Sequence, residues 1–121
     1  MTGGAITQLV AGVPVSELDA GIDWYTRFFG REPDMRVGEE ILWDVDEHAT
    51  LFIEPDPARA GSGRITLAVT GVDAFVDALL GRLAKGSIRH EPVETYSNGI
   101  RHVRVPDPDG NALAFVELPG S

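Results

Sequence analysis

The sequence predicts an α+β protein of two βαβββ modules, forming a curved mixed sheet with helices outside and a concave ligand cleft. Three observations lead there. Several short stretches alternate apolar and polar residues, as half-buried strands do. Two longer stretches carry apolar residues at helical spacing. The second half of the chain also repeats the first. Val15-Ser16-Glu17-Leu18-Asp19-Ala20 aligns with Val69-Thr70-Gly71-Val72-Asp73-Ala74, and Ala49-Thr50-Leu51-Phe52-Ile53-Glu54 aligns with Asn111-Ala112-Leu113-Ala114-Phe115-Val116.

Taken in order, Ile6 to Val15 reads as a strand with apolar residues on both faces. Ser16-Glu17-Leu18-Asp19 reads as a helix start, with Ser16 as N-cap and acids in the first turn. Leu18, Ile22, Tyr25 and Phe29 recur at helical spacing, and Gly30 suits the C-terminal cap. Strands follow over Asp34 to Val37, Ile41 to Val45 and Thr50 to Glu54, with Asp46-Glu47-His48 as a turn. Trp43 alternates with Ile41 and Val45, which places it against a helix. Ala58 to Gly63 is a linker of small and polar residues.

The second module opens with a strand from Arg64 to Val69. A helix starts at Thr70-Gly71-Val72-Asp73, shows Val72, Phe75, Val76, Leu79 and Leu83 on one face, and stops at Gly86. Ile88 to Val93 is a short strand and Glu94 to Gly99 a polar loop carrying Tyr96. Ile100 to Val105 and Asn111 to Leu118 close the chain as a hairpin around Asp107-Pro108-Asp109-Gly110, in which Pro108 presets φ and Gly110 relaxes the exit. One domain over 1–121 is expected, with module one at about 5–57, a linker at about 58–63 and module two at about 64–119. Half-domains of this size bury little core alone.

Composition removes several classes of function. A net charge of −9 argues against nucleic acid and against an anionic membrane surface, since both need a basic stripe. The absence of Cys rules out a disulfide framework, a thiol nucleophile and thiolate-bound zinc. The start of the chain lacks a basic region followed by an apolar run, and no apolar stretch approaches a membrane span, so a cytoplasmic protein is expected. Each Ser sits in a cap, linker, loop or tail, and no Gly-rich phosphate loop joins a strand to a helix.

Val15-Ser16-Glu17-Leu18-Asp19-Ala20-Gly21-Ile22-Asp23-Trp24-Tyr25-Thr26-Arg27-Phe28-Phe29-Gly30 resembles the strand-to-helix segment of the vicinal-oxygen-chelate superfamily, the glyoxalase, bleomycin-resistance and extradiol-dioxygenase group. Asp107-Pro108-Asp109-Gly110-Asn111 is similar to that superfamily's late hairpin turn. The resemblance implies paired βαβββ modules and a homodimer. In metal-dependent members, ligands come from one cleft-facing position on the first and last strand of each module, usually His, Gln or Glu. Carried onto this sequence, those positions fall at Val10, Phe52, Arg64 and Ala114, with Glu54 one alternation from Phe52. Val, Phe and Ala offer no donor atom, and Arg is a cation. No metal and no other cofactor is therefore expected.

Alternation sends Phe52, Glu54, Arg64, His102, Arg104 and Ala114 into the cleft as the candidate ligand-binding residues. Small residues leave volume, Phe52 offers a stacking face, and the others offer polar contacts, which is the character of an organic-ligand pocket. A pair between Arg64 and Glu54 is an alternative use of both. The leading expectation is a small-molecule binding protein of the glyoxalase/bleomycin-resistance type. It would hold an organic ligand, aromatic or antibiotic-like, without a metal, as resistance or sequestration proteins do. The alternative is an enzyme: a lyase, isomerase or dioxygenase with an atypical metal site, or a metal-free one using His102 and Glu54 as an acid–base pair.

Overall fold

A computed structural model describes residues 3–83 and 90–120. Its elements run β1 (Leu9–Val15), α1 (Leu18–Phe29), β2 (Met35–Val37), β3 (Glu40–Asp46), β4 (Ala49–Pro55), β5 (Arg64–Ala68), α2 (Val72–Arg82), β6 (Glu94–Thr95), β7 (Arg101–Pro106) and β8 (Ala112–Glu117). The α+β class with two βαβββ units is thus present. The strands form two hydrogen-bonded sheets of four, ordered β1-β4-β3-β2 and β5-β8-β7-β6. In each, the first strand pairs parallel with the last and the other neighbours pair antiparallel.

The repeat seen in the sequence extends to strand register. Val10 pairs with Thr50 as Arg64 pairs with Ala112, and Leu42 pairs with Phe52 as Arg104 pairs with Ala114. The two sheets can therefore be compared position by position.

Alternation gives each sheet a closed face and an open face. Val13, Val15, Ile41, Trp43, Leu51 and Ile53 fill the closed face of the first sheet, and Val103, Val105, Leu113 and Phe115 that of the second. Helix α1 touches both closed faces: the Tyr25 ring lies 6.1 Å from Trp43, and Phe28 stacks on Phe115 at 5.6 Å. Phe75 of α2 also packs on Phe115, at 4.6 Å. One core thus spans both modules, and the open faces look away from it.

Helix starts depart from the sequence reading. The N-cap of α1 is Glu17, with no side-chain cap, because Ser16 is engaged elsewhere: its hydroxyl donates to Asp109 at 2.5 Å. Helix α2 is capped by Gly71 at φ 62, and the Val72 N–H donates to the Glu117 carboxylate of β8 at 2.7 Å. A distant strand satisfies the orphan donor that no local residue reaches. The left-handed C-cap of α1 at Gly30 is as expected, with φ 73.

Helix α2 ends at Arg82 rather than at Gly86, which lies outside the described residues. The expected strand from Ile88 also begins outside them; residues 90–93 are not strand, and Glu94–Thr95 forms the edge instead. In β3 a bulge between Asp44 and Asp46 breaks the alternation, so Val45 leaves the row of Ile41 and Trp43 and is 41% exposed.

Candidate functional site

The six candidate ligand residues all stand on open faces, but on two different ones. Phe52 and Glu54 belong to the first sheet; Arg64, His102, Arg104 and Ala114 belong to the second. Because α1 holds the closed faces together, one chain does not bring the two sets into a common cleft. The sheets meet at a corner, where the Asn111 side-chain amide donates to the Pro14 carbonyl at 2.8 Å. Among the described residues Arg64 pairs with no acid, so the alternative Arg64–Glu54 pair is not formed within the chain. Likewise no hydrogen bond links His102 to Glu54.

The open face of the first sheet carries an apolar patch. Val10, Met35 and Val37 are each more than half exposed. The tip of the Phe52 ring lies against β1, so close that a Cβ added to Gly12 would meet it at 2.3 Å. Glycine at this position is what lets the aromatic ring settle on the strand. A shallow hollow of about 550 Å³ follows, lined by Gln8, Val10, Met35, Leu42, Thr50 and the β3–β4 turn. Thr50 is buried and spoken for: its hydroxyl donates to Asp44 and accepts from Gln8.

The open face of the second sheet is different in kind. Its floor is small: Thr66, Ala68, Ala112 and Ala114 stand on the adjacent strands β5 and β8. Arg64 sits at one end, exposed, and its side chain makes no hydrogen bond or ion pair among the described residues. Arg104 stands across β8, paired with Ala114 in register and 3.7 Å from Glu91. His102 lies next along β7, with the Tyr96 ring stacked on it at 5.6 Å and 23°.

Tyr96, with Ser97 and Asn98, reads from the sequence as part of a polar loop able to close over the cleft, and the stack on His102 is what the loop reading does not supply. Asn98-Gly99 was the available signal, since that dipeptide is a strong hairpin mark. The hairpin forms, Tyr96 N–H donating to the Ile100 carbonyl at 2.8 Å with Gly99 at φ 88, and it carries Tyr96 over His102.

The late hairpin turn does more than reverse the chain. Gly110 N–H donates to the Asp107 carbonyl at 2.9 Å, and Gly110 has φ 90, as the turn reading requires. The buried Asp107 carboxylate accepts from the Tyr25 hydroxyl at 2.7 Å, the Asn111 amide at 2.8 Å, and the backbone N–H groups of Asp109 and Asn111 at 2.9 Å. Burial, and then the charge of Asp107, push the Tyr25 phenol far above its usual range. Tyr25 is therefore a permanent donor and the cluster a structural one. On the surface, the bidentate Arg101 guanidinium holds the Asp73 carboxyl below the usual carboxylate range and ties β7 to α2.

The donor set does not fit a divalent metal. The four positions carried over from the resemblance remain Val10, Phe52, Arg64 and Ala114, and no cluster of three or more His, Asp or Glu among the described residues could hold one. Among those residues no helix is long and apolar enough to cross a membrane.

Comparison with known proteins agrees with this architecture. A family model described as the glyoxalase/bleomycin resistance protein/dioxygenase superfamily matches residues 6–115. A glyoxalase/bleomycin resistance protein from Catenulispora acidiphila is 35% identical, with 93% of this chain and 98% of that one covered and a TM-score of 0.81. A bleomycin-binding protein complexed with bleomycin has a TM-score of 0.73 at 18% identity, over 91% of this chain and 97% of that one. A lactoylglutathione lyase from Agrobacterium tumefaciens has a TM-score of 0.70 at 20% identity, over 90% and 91%. The last two show likeness of fold alone. No curated protein matches the chain in sequence.

Proposed function

The chain belongs to the glyoxalase/bleomycin resistance protein/dioxygenase superfamily, and from that premise we propose that it binds a small, partly planar organic molecule without transforming it. The observation that carries this reading is the open face of the second sheet: a floor of Thr66, Ala68, Ala112 and Ala114, bounded by Arg64, Arg104 and the His102–Tyr96 stack. Small floor residues leave room for a flat molecule, and a few polar side chains at the edge orient it. A shared fold with a protein complexed with bleomycin supports the same class of function.

The site is completed by a second copy. The open face of the first sheet, with its apolar patch, Phe52 and Glu54, lies over the floor of its partner's second sheet and roofs the ligand. Support comes from Val10, Met35 and Val37, which one chain leaves half exposed or more on a continuous sheet face. Residues on the two faces then contribute to one cleft. The reading also places the protein with sequestration or resistance functions in the cytoplasm.

Light scattering at micromolar concentration is expected to give a dimer. Calorimetry and mass spectrometry against a panel of aromatic metabolites and antibiotics are expected to recover a bound molecule unchanged. A monomer at that concentration, or a ligand recovered chemically altered, would overturn the corresponding half of the proposal.

A further inference from the structure

The chain carries a net charge of −9, yet the floor of the second sheet is flanked by arginines. Arg64 on β5 and Arg104 on β7 stand on either side of β8, over Ala112 and Ala114. Strand spacing and residue rise put their Cα atoms about 12 Å apart, a gap that two long arginine stems close from opposite sides. Between them the chain supplies only methyl groups. The Arg64 side chain has no acceptor among the described residues. The acid beside Arg104 is Glu91 at 3.7 Å, and both side chains are about half exposed, at 44% and 54%. Such a contact is weak and readily exchanged. Glu94, the other acid of this face, is paired in register with His102 on the far side of β7 from Arg64.

A guanidinium presents a planar fork of N–H donors that fits carboxylate, phosphate and sulfonate oxygens in a bidentate way. The next row along β7 supplies the stacked His102–Tyr96 pair, an aromatic shelf. We propose that the ligand is an aromatic anion, its acidic group held by Arg64 and Arg104 above Ala112 and Ala114 and its ring laid on the His102–Tyr96 pair. This rests on the small-molecule reading above and narrows it. The anion offsets the charge of Arg64, which a roof closing over it would otherwise leave without an acceptor.

Matched probes test it: 2-naphthoate, 2-naphthamide and 2-naphthylmethylammonium, titrated by calorimetry into the full chain, with binding located by amide NMR shifts. Naphthoate is expected to bind at least about tenfold more tightly than naphthamide, as one added charge-assisted contact supplies, with an affinity that falls as salt is added. Arg64→Gln and Arg104→Gln are each expected to remove most of that preference. Arg36→Gln, on β2 of the other sheet, is expected to keep it.

Equal binding of naphthoate and naphthamide at the β5, β7 and β8 amides overturns the anion proposal and leaves small-molecule binding standing. Absence of any probe-induced shift at those amides overturns both. A preference that emerges only in Glu54→Gln also overturns the anion proposal, because it assigns Arg64 to an ion pair with Glu54 of a second copy.

Discussion

The two β-hairpin turns at matching places in the repeat, Asp46-Glu47-His48 and Asp107 to Asn111, are solved by different physics. The first is exposed, and its side-chain contacts in the turn are local: His48 N–H donates to Asp46 at 3.1 Å, and the His48 ring lies 3.5 Å from the Glu47 carboxylate. The second is buried at Asp107 and Asn111 and reaches across the chain to Ser16 and Tyr25 of the other module. A duplicated topology thus need not have duplicated energetics. One turn reverses a strand; its counterpart also binds the first module's helix to the second module's sheet. The open faces diverge in the same way. The row Leu42–Phe52–Gly12 is apolar and covered by a ring, while its counterpart Arg104–Ala114–Thr66 is small and charged.

Substitution at the two turns breaks the comparison most strongly. Asp107→Ala leaves the buried Tyr25 hydroxyl and the Asn111 amide without their acceptor and is expected to cost about 3–5 kcal/mol. Asp46→Ala is expected to cost less than about 0.5 kcal/mol. Urea denaturation of both proteins measures the difference, and equal losses would mean the late turn is not the link between modules.

Tyr25→Phe removes one donor from that network and is expected to cost about 1.5–3 kcal/mol near neutral pH. Its pH dependence is the sharper readout. The folded phenol is raised above its unfolded value of 10.0, so above that pH the unfolded chain has lost a proton that the folded chain keeps. Stability is then fully present below about pH 10 and falls as pH rises further, by up to about 1.4 kcal/mol per pH unit. The Phe variant is expected to flatten this alkaline decline.

The smallest effects compare the open faces. Phe52→Ala removes a half-buried ring and uncovers Gly12, at an expected cost of about 1–2 kcal/mol, well below the 3–5 of a fully buried phenylalanine. The matching change in the second sheet, Ala114→Gly, is expected to cost about 0.5–1 kcal/mol from backbone entropy. Denaturation midpoints check both. An Ala114→Gly loss equal to that of Phe52→Ala would mean that the two faces are packed alike.

Much of this was legible along the chain. Alternation found the strands because each sheet has one closed face, and the spacing of Leu18, Ile22, Tyr25 and Phe29 found α1 because its buried stripe must follow the helical period. Two readings failed where local pattern was not enough. Ser16 suits an N-cap, but Asp109 of the late turn takes its hydroxyl. Val45 fits the pattern of Ile41 and Trp43, but a bulge displaces it. The first preference is overridden by a contact distant in sequence, the second by a register shift within the β3–β4 hairpin.

The candidate site divides along the same line. The sequence by itself determined which side chains stand on open strand faces, because a side chain's face follows from strand parity. It also determined that the four strand positions Val10, Phe52, Arg64 and Ala114 lack a metal-binding donor set, because donor atoms belong to residue types. Only the tertiary structure decided that Phe52 and Glu54 part company with Arg64, His102, Arg104 and Ala114. Which faces meet depends on where α1 packs, and α1 is fixed by Trp43 on one sheet, Phe115 on the other and the buried Asp107 carboxylate. Those contacts join residues distant in sequence, so no period or local motif carries them.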